Sequence, residues 1–317
     1  MNPGTEIETK RRRRPLWQWL VAALLVLPLL LMLALFAHVW WIVETFDART
    51  LPPRHGQVDA RLYAREDAGA RPLIVGFGGS EGGNAWASER WARQRERFLE
   101  QGYAFLAVGY FGLPNTPAAL DRIAIEGVQA AIREAARDPR VDGNCVALIG
   151  GSRGAELALL LAVHDSDIDA VVAIVPGSAV FPALNQAMMT PGYSLHGQSL
   201  PFVPMPWSAA GDLIRGNLRG AFERMMENRP AMEAAAIAVE RIRGPLLFVS
   251  ASKDEMWPSR EMSDAMMARL AAQGFPYPHE HQVIAGGHAA PLKAFPQVEA
   301  FLAAHFRPRC APAAAES

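Results

Sequence analysis

The run Val146-Ala147-Leu148-Ile149-Gly150-Gly151-Ser152-Arg153-Gly154-Ala155-Glu156-Leu157-Ala158-Leu159-Leu160-Leu161-Ala162 decides how the rest of the chain is read. Four apolar residues stop at two glycines, a serine follows, and a helix-forming run begins after a third glycine. This is G-x-S-x-G in the setting of strand, sharp turn and helix. Such a turn strains the serine backbone and lifts its hydroxyl clear of the sheet. Glycine two residues to either side removes side chains that would collide across it. The hydroxyl then lies at a helix N-terminus, where aligned peptide dipoles favour negative charge. The competing reading is a Gly-rich turn whose serine merely caps the helix, and the flanking strand and helix patterns weigh against it. Ser152 is the expected nucleophile.

Outward from this turn, apolar strand-like runs at 72–77, 103–109, 170–175, 246–251 and 280–284 alternate with helical patterns. The helices fall at 87–101, 117–137, 259–273 and 291–306, and 58–65 alternates like an edge strand. Strands alternating with helices imply an α/β fold, a mostly parallel sheet covered on both faces. No internal repeat interrupts it.

A serine needs a base to take its proton, and the base needs an acid to hold its tautomer. In this kind of fold the chain order is Ser, then Asp or Glu, then His. Asp254 follows the strand that ends at Ala251, and His288 follows the strand at 280–284 through Ala285-Gly286-Gly287. Both therefore emerge at the carboxyl edge of the sheet, beside Ser152. Glu255 competes for the acid, and His279 and His281 for the base, although their alternation places those two within a strand. An oxyanion hole needs two backbone N–H groups. The expected donors are Arg153, directly after the nucleophile, and Gly79 or Ser80 in the loop Gly78-Gly79-Ser80-Glu81-Gly82-Gly83. That loop is neither G-x-G-x-x-G nor a Walker sequence, so it argues against nucleotide binding. No cofactor and no metal site is expected.

Between 176 and 243 the alternation breaks down into seven prolines and a Met and aromatic cluster. An irregular segment of this length inside an α/β domain reads as a lid or insertion. Met188, Phe202, Met205 and Trp207 are its candidate pocket residues. For any one of them simple burial is the plainer reading; as a group they favour a hydrophobic acyl substrate.

The N-terminal part is of another kind. Lys10 and Arg11 to Arg14 form a basic block, and 16–43 then contains no Asp, Glu, Lys or Arg. Such a run spans a bilayer, which needs about 20 residues. Trp17, Trp19, Trp40 and Trp41 stand near its ends, where aromatic belts form. A cleavable signal peptide has a shorter apolar core, so a single-pass anchor is expected at 16–43, with 1–15 cytoplasmic and 44–57 a linker. The domain at 58–306 is then carried to the far side, although Arg49, Arg54, Arg61 and Arg65 weaken the charge asymmetry. The formal net charge of −1 gives no reason to expect nucleic acid as a partner. Oligomeric state is not legible. Cys145 reads as a buried thiol and Cys310 falls in an Ala- and Pro-rich tail at 307–317 that is expected to be disordered, so no disulfide is expected.

Four blocks then resemble a known family. They are Gly78-Gly79-Ser80-Glu81-Gly82, Tyr110-Phe111-Gly112-Leu113-Pro114, the 150–160 segment around Ser152, and Asp254-Glu255-Met256-Trp257-Pro258-Ser259. They are similar to the C-terminal catalytic domain of the acyl-CoA thioesterase and bile acid-CoA:amino acid N-acyltransferase family, over about 72–306. The resemblance implies an α/β-hydrolase fold that cleaves acyl thioesters or passes the acyl group to an amine. Ser152 matches the family's nucleophile, Asp254 its acid and His288 its base, and serine at the nucleophile position resembles the hydrolases. Eukaryotic members place an immunoglobulin-like domain where this chain has its apolar segment and linker. The expected activity is a membrane-anchored serine hydrolase of acyl thioesters. The alternatives are hydrolysis of oxygen esters or envelope lipids, acyl transfer, or a non-catalytic scaffold on the same fold.

Overall fold

The apolar runs on either side of Ser152 become a central strand and a buried helix. The computed structural model describes residues 16–66 and 69–310, so the basic block at 10–14 and the tail beyond 310 lie outside the described residues. The chain divides into two units, Met1–Asp47 and Ala48–Ser317. In the first, α1 (Leu16–Thr45) contains Pro28 and exposes apolar side chains all round, Leu24, Leu27, Leu31 and Phe36 among them. Its stretch Ala23–Thr45 is long and apolar enough to cross a membrane.

In the second unit the elements are β1 (Asp59–Tyr63), β2 (Arg71–Phe77), α2 (Ala92–Glu100), β3 (Ala104–Gly109), β4 (Ile123–Ala124), α3 (Ile125–Ala135), β5 (Val141–Gly151) and α4 (Arg153–His164). They continue as β6 (Ala170–Ile174), β7 (Tyr193–Leu195), β8 (Gln198–Ser199), α5 (Ala210–Ile214), α6 (Leu218–Met226) and α7 (Arg229–Ala234). The last are β9 (Leu246–Ala251), α8 (Ser259–Ala272), β10 (His279–Ile284) and α9 (Phe295–Phe301). Seven strands form one sheet in the order β1-β3-β2-β5-β6-β9-β10. Every pair in it is parallel except β1 with β3, which puts the alternating 58–65 run at the edge as its pattern predicts.

Side-chain alternation sends the two halves of each strand to opposite layers. Leu73, Val75, Leu106, Val108 and Leu148 join one core with the helices α3 and α4. Ile74, Phe105, Ala107, Ala147 and Ile149 join the other, with Phe98, Phe295 and Phe306. Both faces are covered, which is why the central strands read as unbroken apolar runs.

Three expectations are corrected. The pattern at 117–137 predicts one helix, but the helix starts only at Ile125. Asp121 accepts from Thr190 Oγ1 at 2.8 Å and from Asn185 Nδ2 at 3.1 Å. Arg122 adopts a left-handed backbone, φ 47°, and donates to the Ala48 carbonyl at 2.8 Å. Satisfying these buried groups overrides helix propensity there. The predicted linker, secondly, is not a free tether from Ala48 onward. Gly56 lies so close to Gly127 that a Cβ there would meet the Gly56 carbonyl oxygen at 2.2 Å.

The third correction is a disulfide. Cys145 and Cys310 are bonded, with their Cα atoms 5.4 Å apart and a sequence separation of 165. It ties the turn Arg307–Cys310, the start of the tail expected to be disordered, to β5, the strand that delivers Ser152. Closing a long loop typically stabilises by about 2–4 kcal/mol. Cys310→Ser is therefore expected to lower Tm by roughly 5–15 °C, on a scale of ~2–4 °C per kcal/mol for a domain of this size. Dithiothreitol should produce the same drop in the native chain and none in the variant. A Tm that reductant leaves unmoved would show the bond contributes nothing.

The insertion keeps little regular structure. β7 pairs with β4 on one side and β8 on the other in a three-stranded sheet. Ala179, Phe181, Val203 and Met225 pack with Trp257 and Met262 in a core of their own, onto which Met205, Phe222 and Met226 fold.

Candidate active site

Ser152 stands between β5 and α4 with φ 53° and ψ −119°, a left-handed conformation that a side-chain-bearing residue adopts only under constraint. The constraint is visible in its neighbours. A Cβ on Gly150 would meet the Gly154 carbonyl oxygen at 2.0 Å, and one on Gly154 would meet the Gly78 carbonyl oxygen at 2.2 Å. The Ser152 N–H donates to the Ile174 carbonyl at 2.8 Å, which pins the turn to β6. Side chains at 150 or 154 would push these backbones apart.

Asp254 and His288 arrive from strands β9 and β10, as their positions predict. His288 Nδ1 donates to Asp254 Oδ1 at 2.8 Å and lies 3.0 Å from Oδ2. Asp254 is 1% exposed and also accepts from Met256 N at 3.0 Å, Trp257 N at 3.3 Å and Ser259 Oγ at 2.6 Å. Burial pushes its carboxyl up. The hydrogen bonds from His288, Ser259 and the Met256 backbone outweigh that and hold it below the usual carboxylate range. Glu255, the other candidate acid, instead accepts from the His288 backbone N–H at 2.9 Å and so fixes the loop that presents the ring. His281 sits between Asp264 Oδ1 at 2.9 Å and Ser250 Oγ at 2.7 Å. Ser250 is fully buried in β9, so this second Ser-His-Asp set ties α8 to the sheet and leaves its serine out of reach of a substrate. His279 Nδ1 donates to the Tyr277 carbonyl at 2.8 Å.

Ser152 and His288 border one cavity of about 230 Å³. Among the described residues no hydrogen bond joins them; contacts of this kind often tighten only around substrate. Gly79 also borders the cavity, and Ser80 is exposed and does not, so the geometry favours Gly79 of the two oxyanion candidates. Arg153 occupies the first position of α4, where a backbone N–H has no acceptor within the helix. Its side chain points into the protein, where Nη2 donates to the carbonyls of Phe181 and Pro182 at 3.2 and 3.0 Å. Nη1 lies 2.9 Å from Glu156, whose carboxyl burial pushes up to about 7.

The four candidate pocket residues of the insertion lie elsewhere. Met205 folds onto the insertion's core, Phe202 packs on the main core, Met188 is half-buried in a turn and Trp207 is 77% exposed. None borders the cavity. Its apolar walls come instead from Trp86 and Trp91, in the segment after the glycine loop, and from Leu292 and Phe295 ahead of the C-terminus. The indole rings of Trp86 and Trp91 are 4.7 Å apart, and Phe295 lies 5.9 and 5.5 Å from them. Two tryptophans five residues apart, directly after a predicted oxyanion loop, were the available signal. A helical reading of 87–101 hides it, because Trp86 and Trp91 sit instead in two short 3₁₀ turns or at their ends.

A mostly parallel sheet of this strand order, with a strained serine turn at the end of β5 and an Asp–His pair after β9 and β10, defines an α/β-hydrolase. Solved structures agree on the fold: acylaminoacyl peptidase from Pyrococcus horikoshii superposes with a TM-score of 0.56 at 14% identity, over 78% of this chain and 39% of that one. Acetyl xylan esterase 1 from Thermoanaerobacterium sp. JW/SL YS485 does so at 0.51 and 14%, over 80% of each. The chain belongs to the BAAT / Acyl-CoA thioester hydrolase C terminal family, which it matches over residues 123–311. It is 29% identical over 262 residues to the peroxisomal succinyl-coenzyme A thioesterase of Mus musculus, covering 80% of this chain and 57% of that protein. With acyl-coenzyme A thioesterase 6 of the same species the identity is 30% over 254 residues, covering 78% and 55%. The chain thus spans little more than half the length of the curated relatives it matches.

Proposed function

We propose that the protein is a serine hydrolase of acyl thioesters, held at a membrane by α1. Ser152 Oγ attacks the thioester carbonyl while its proton passes to His288 Nε2, and the negative oxygen is met by the Gly79 and Arg153 N–H groups. The imidazolium returns the proton to the departing thiolate, and water then cleaves the acyl-enzyme by the same route. The observation that carries this reading is Asp254 bonded to His288 at 2.8 Å, with His288 and Ser152 on one cavity.

The cavity walls are aromatic and aliphatic, and its volume of about 230 Å³ falls below the ~300 Å³ at which sites for drug-sized ligands begin. A short acyl chain fits that space. Acyl-CoAs of two to sixteen carbons should therefore be hydrolysed with kcat/KM highest at the short end. Trp91→Ala, which removes a wall, should move the optimum to longer chains. Measured beside p-nitrophenyl esters of equal length, the series also identifies the leaving group, and a chain that spares all thioesters while cleaving the oxygen esters would sink the thioester reading.

A second reading is supported by one observation. The Cys145–Cys310 disulfide is a bond characteristic of oxidising compartments. Together with a basic block ahead of the apolar helix, it favours a domain on the extracytoplasmic side. There an oxygen ester or another thiol carrier replaces CoA, while the roles of Ser152, Asp254 and His288 stay the same.

A further inference from the structure

The Gly79 and Arg153 N–H groups serve as oxyanion donors only if their backbone is held in the right orientation, and two buried tyrosines sit on it. Tyr110 follows β3 and is 1% exposed; its hydroxyl donates to the Gly78 carbonyl at 2.8 Å. Tyr193, from β7 in the insertion, is 0% exposed and donates to the Arg153 carbonyl at 2.5 Å. Burial pushes both phenols well above their usual range, so both keep the proton they donate.

Peptide geometry shows what the first bond does. A trans peptide is planar and carries its C=O and N–H on opposite sides. The Gly78 carbonyl points inward, onto the Tyr110 hydroxyl and so close to Gly154 that a Cβ there would lie 2.2 Å from its oxygen. The Gly79 N–H belongs to the same peptide and therefore points the other way, out of the interior. Gly79 itself lies against the serine, since a Cβ built on it would be 3.2 Å from Ser152 Cβ. We propose that Tyr110 is a positioning residue for the oxyanion hole, holding the Gly78–Gly79 peptide so that the Gly79 N–H faces the reacting carbonyl, and that Tyr193 braces the Arg153 side of the same hole. The insertion then serves the site through Tyr193. This inference rests on the hydrolase reading above.

The test compares the full-length native chain in detergent with Tyr110→Phe and Tyr193→Phe, variants that keep the ring and lose only the hydroxyl. The probes are butyryl-CoA or p-nitrophenyl butyrate as substrate, an alkyl trifluoromethyl ketone that forms a tetrahedral oxyanion on serine, and butyrate as a ground-state ligand. Mispositioning one donor costs transition-state binding and spares ground-state binding. Tyr110→Phe should lower kcat about tenfold or more with KM within about twofold. Affinity for the ketone should fall by the same factor and that for butyrate should not change. A variant with native kcat and native ketone affinity overturns the proposal, even if its Tm drops. Should Tyr110→Phe fail to fold by near-ultraviolet circular dichroism, Tyr193→Phe carries the same comparison, and a native kcat there overturns it equally. A native chain inert to substrates and ketone alike would overturn the hydrolase reading, and this proposal with it.

Discussion

Replacing Ser152 with alanine should reduce thioester or ester turnover by about 10⁵–10⁶-fold, down to the residual rate that binding and the oxyanion donors support. The size of the effect follows from covalent catalysis, because without the hydroxyl no acyl-enzyme forms and water must attack directly. The substitution itself removes one oxygen at the mouth of a cavity. It leaves the Ser152 N–H bond to Ile174 and the Gly150 and Gly154 contacts in place, so Tm should move by no more than a degree or two. A fluorophosphonate probe should label the native chain at Ser152 and leave the variant unlabelled. Full turnover by Ser152→Ala would mean that the reaction runs elsewhere.

Asp254→Asn should cost about 10⁴-fold in kcat with KM little altered. The reasoning is one of hydrogen-bond supply. Asp254 accepts from His288 Nδ1, Met256 N, Trp257 N and Ser259 Oγ at once. An amide offers one oxygen and one NH₂ where the carboxylate offers two oxygens. With the backbone donors of Met256 and Trp257 fixed on Oδ1, the NH₂ takes the place of Oδ2, 3.0 Å from His288 Nδ1 and beside Ser259 Oγ. An NH₂ facing His288 Nδ1 forces the ring into the Nε2–H tautomer, which cannot take a proton from serine. Activity within tenfold of native would show that Asp254 does not hold the ring. The same carboxylate contributes to stability with a definite sign. Its folded pKa lies below the ordinary value, so the contribution is complete above ~3.9 and is lost as pH falls through the lower folded value.

Much of the site was legible before any coordinates because its chemistry sits at strand ends. Turn residues announce strand ends locally. Ser152 is bracketed by glycines that sterics demand, and Asp254 and His288 follow apolar runs whose length and composition mark them as buried strands. Parallel strands present their carboxyl ends at one edge, so chain order alone placed these residues together. The same reasoning could not choose between Gly79 and Ser80. That choice depends on which of the two borders the cavity, and the loop is held there by contacts such as Tyr110 to the Gly78 carbonyl, across 32 residues of sequence. Nor could it find the cavity walls. Trp86 and Phe295 are separated by most of the domain and meet only because α9 lies over the same face of the sheet as the loop after β2.

What the amino-acid order determined by itself is therefore what repeats along the chain or is forced at a single turn. This covers the alternation of strands and helices, the strained serine, the order of Ser, Asp and His, and an apolar helix with the length to cross a bilayer. Tertiary structure decided the Cys145–Cys310 bond, the aromatic walls, the packing of Met205, Met225 and Met226 away from the cavity, and the two tyrosines on the Gly78 and Arg153 carbonyls. The physical reason is range. Periodicity and backbone sterics act between neighbours and leave a mark in any short window. Side-chain packing instead joins residues whose separation in sequence carries no information about their distance in space.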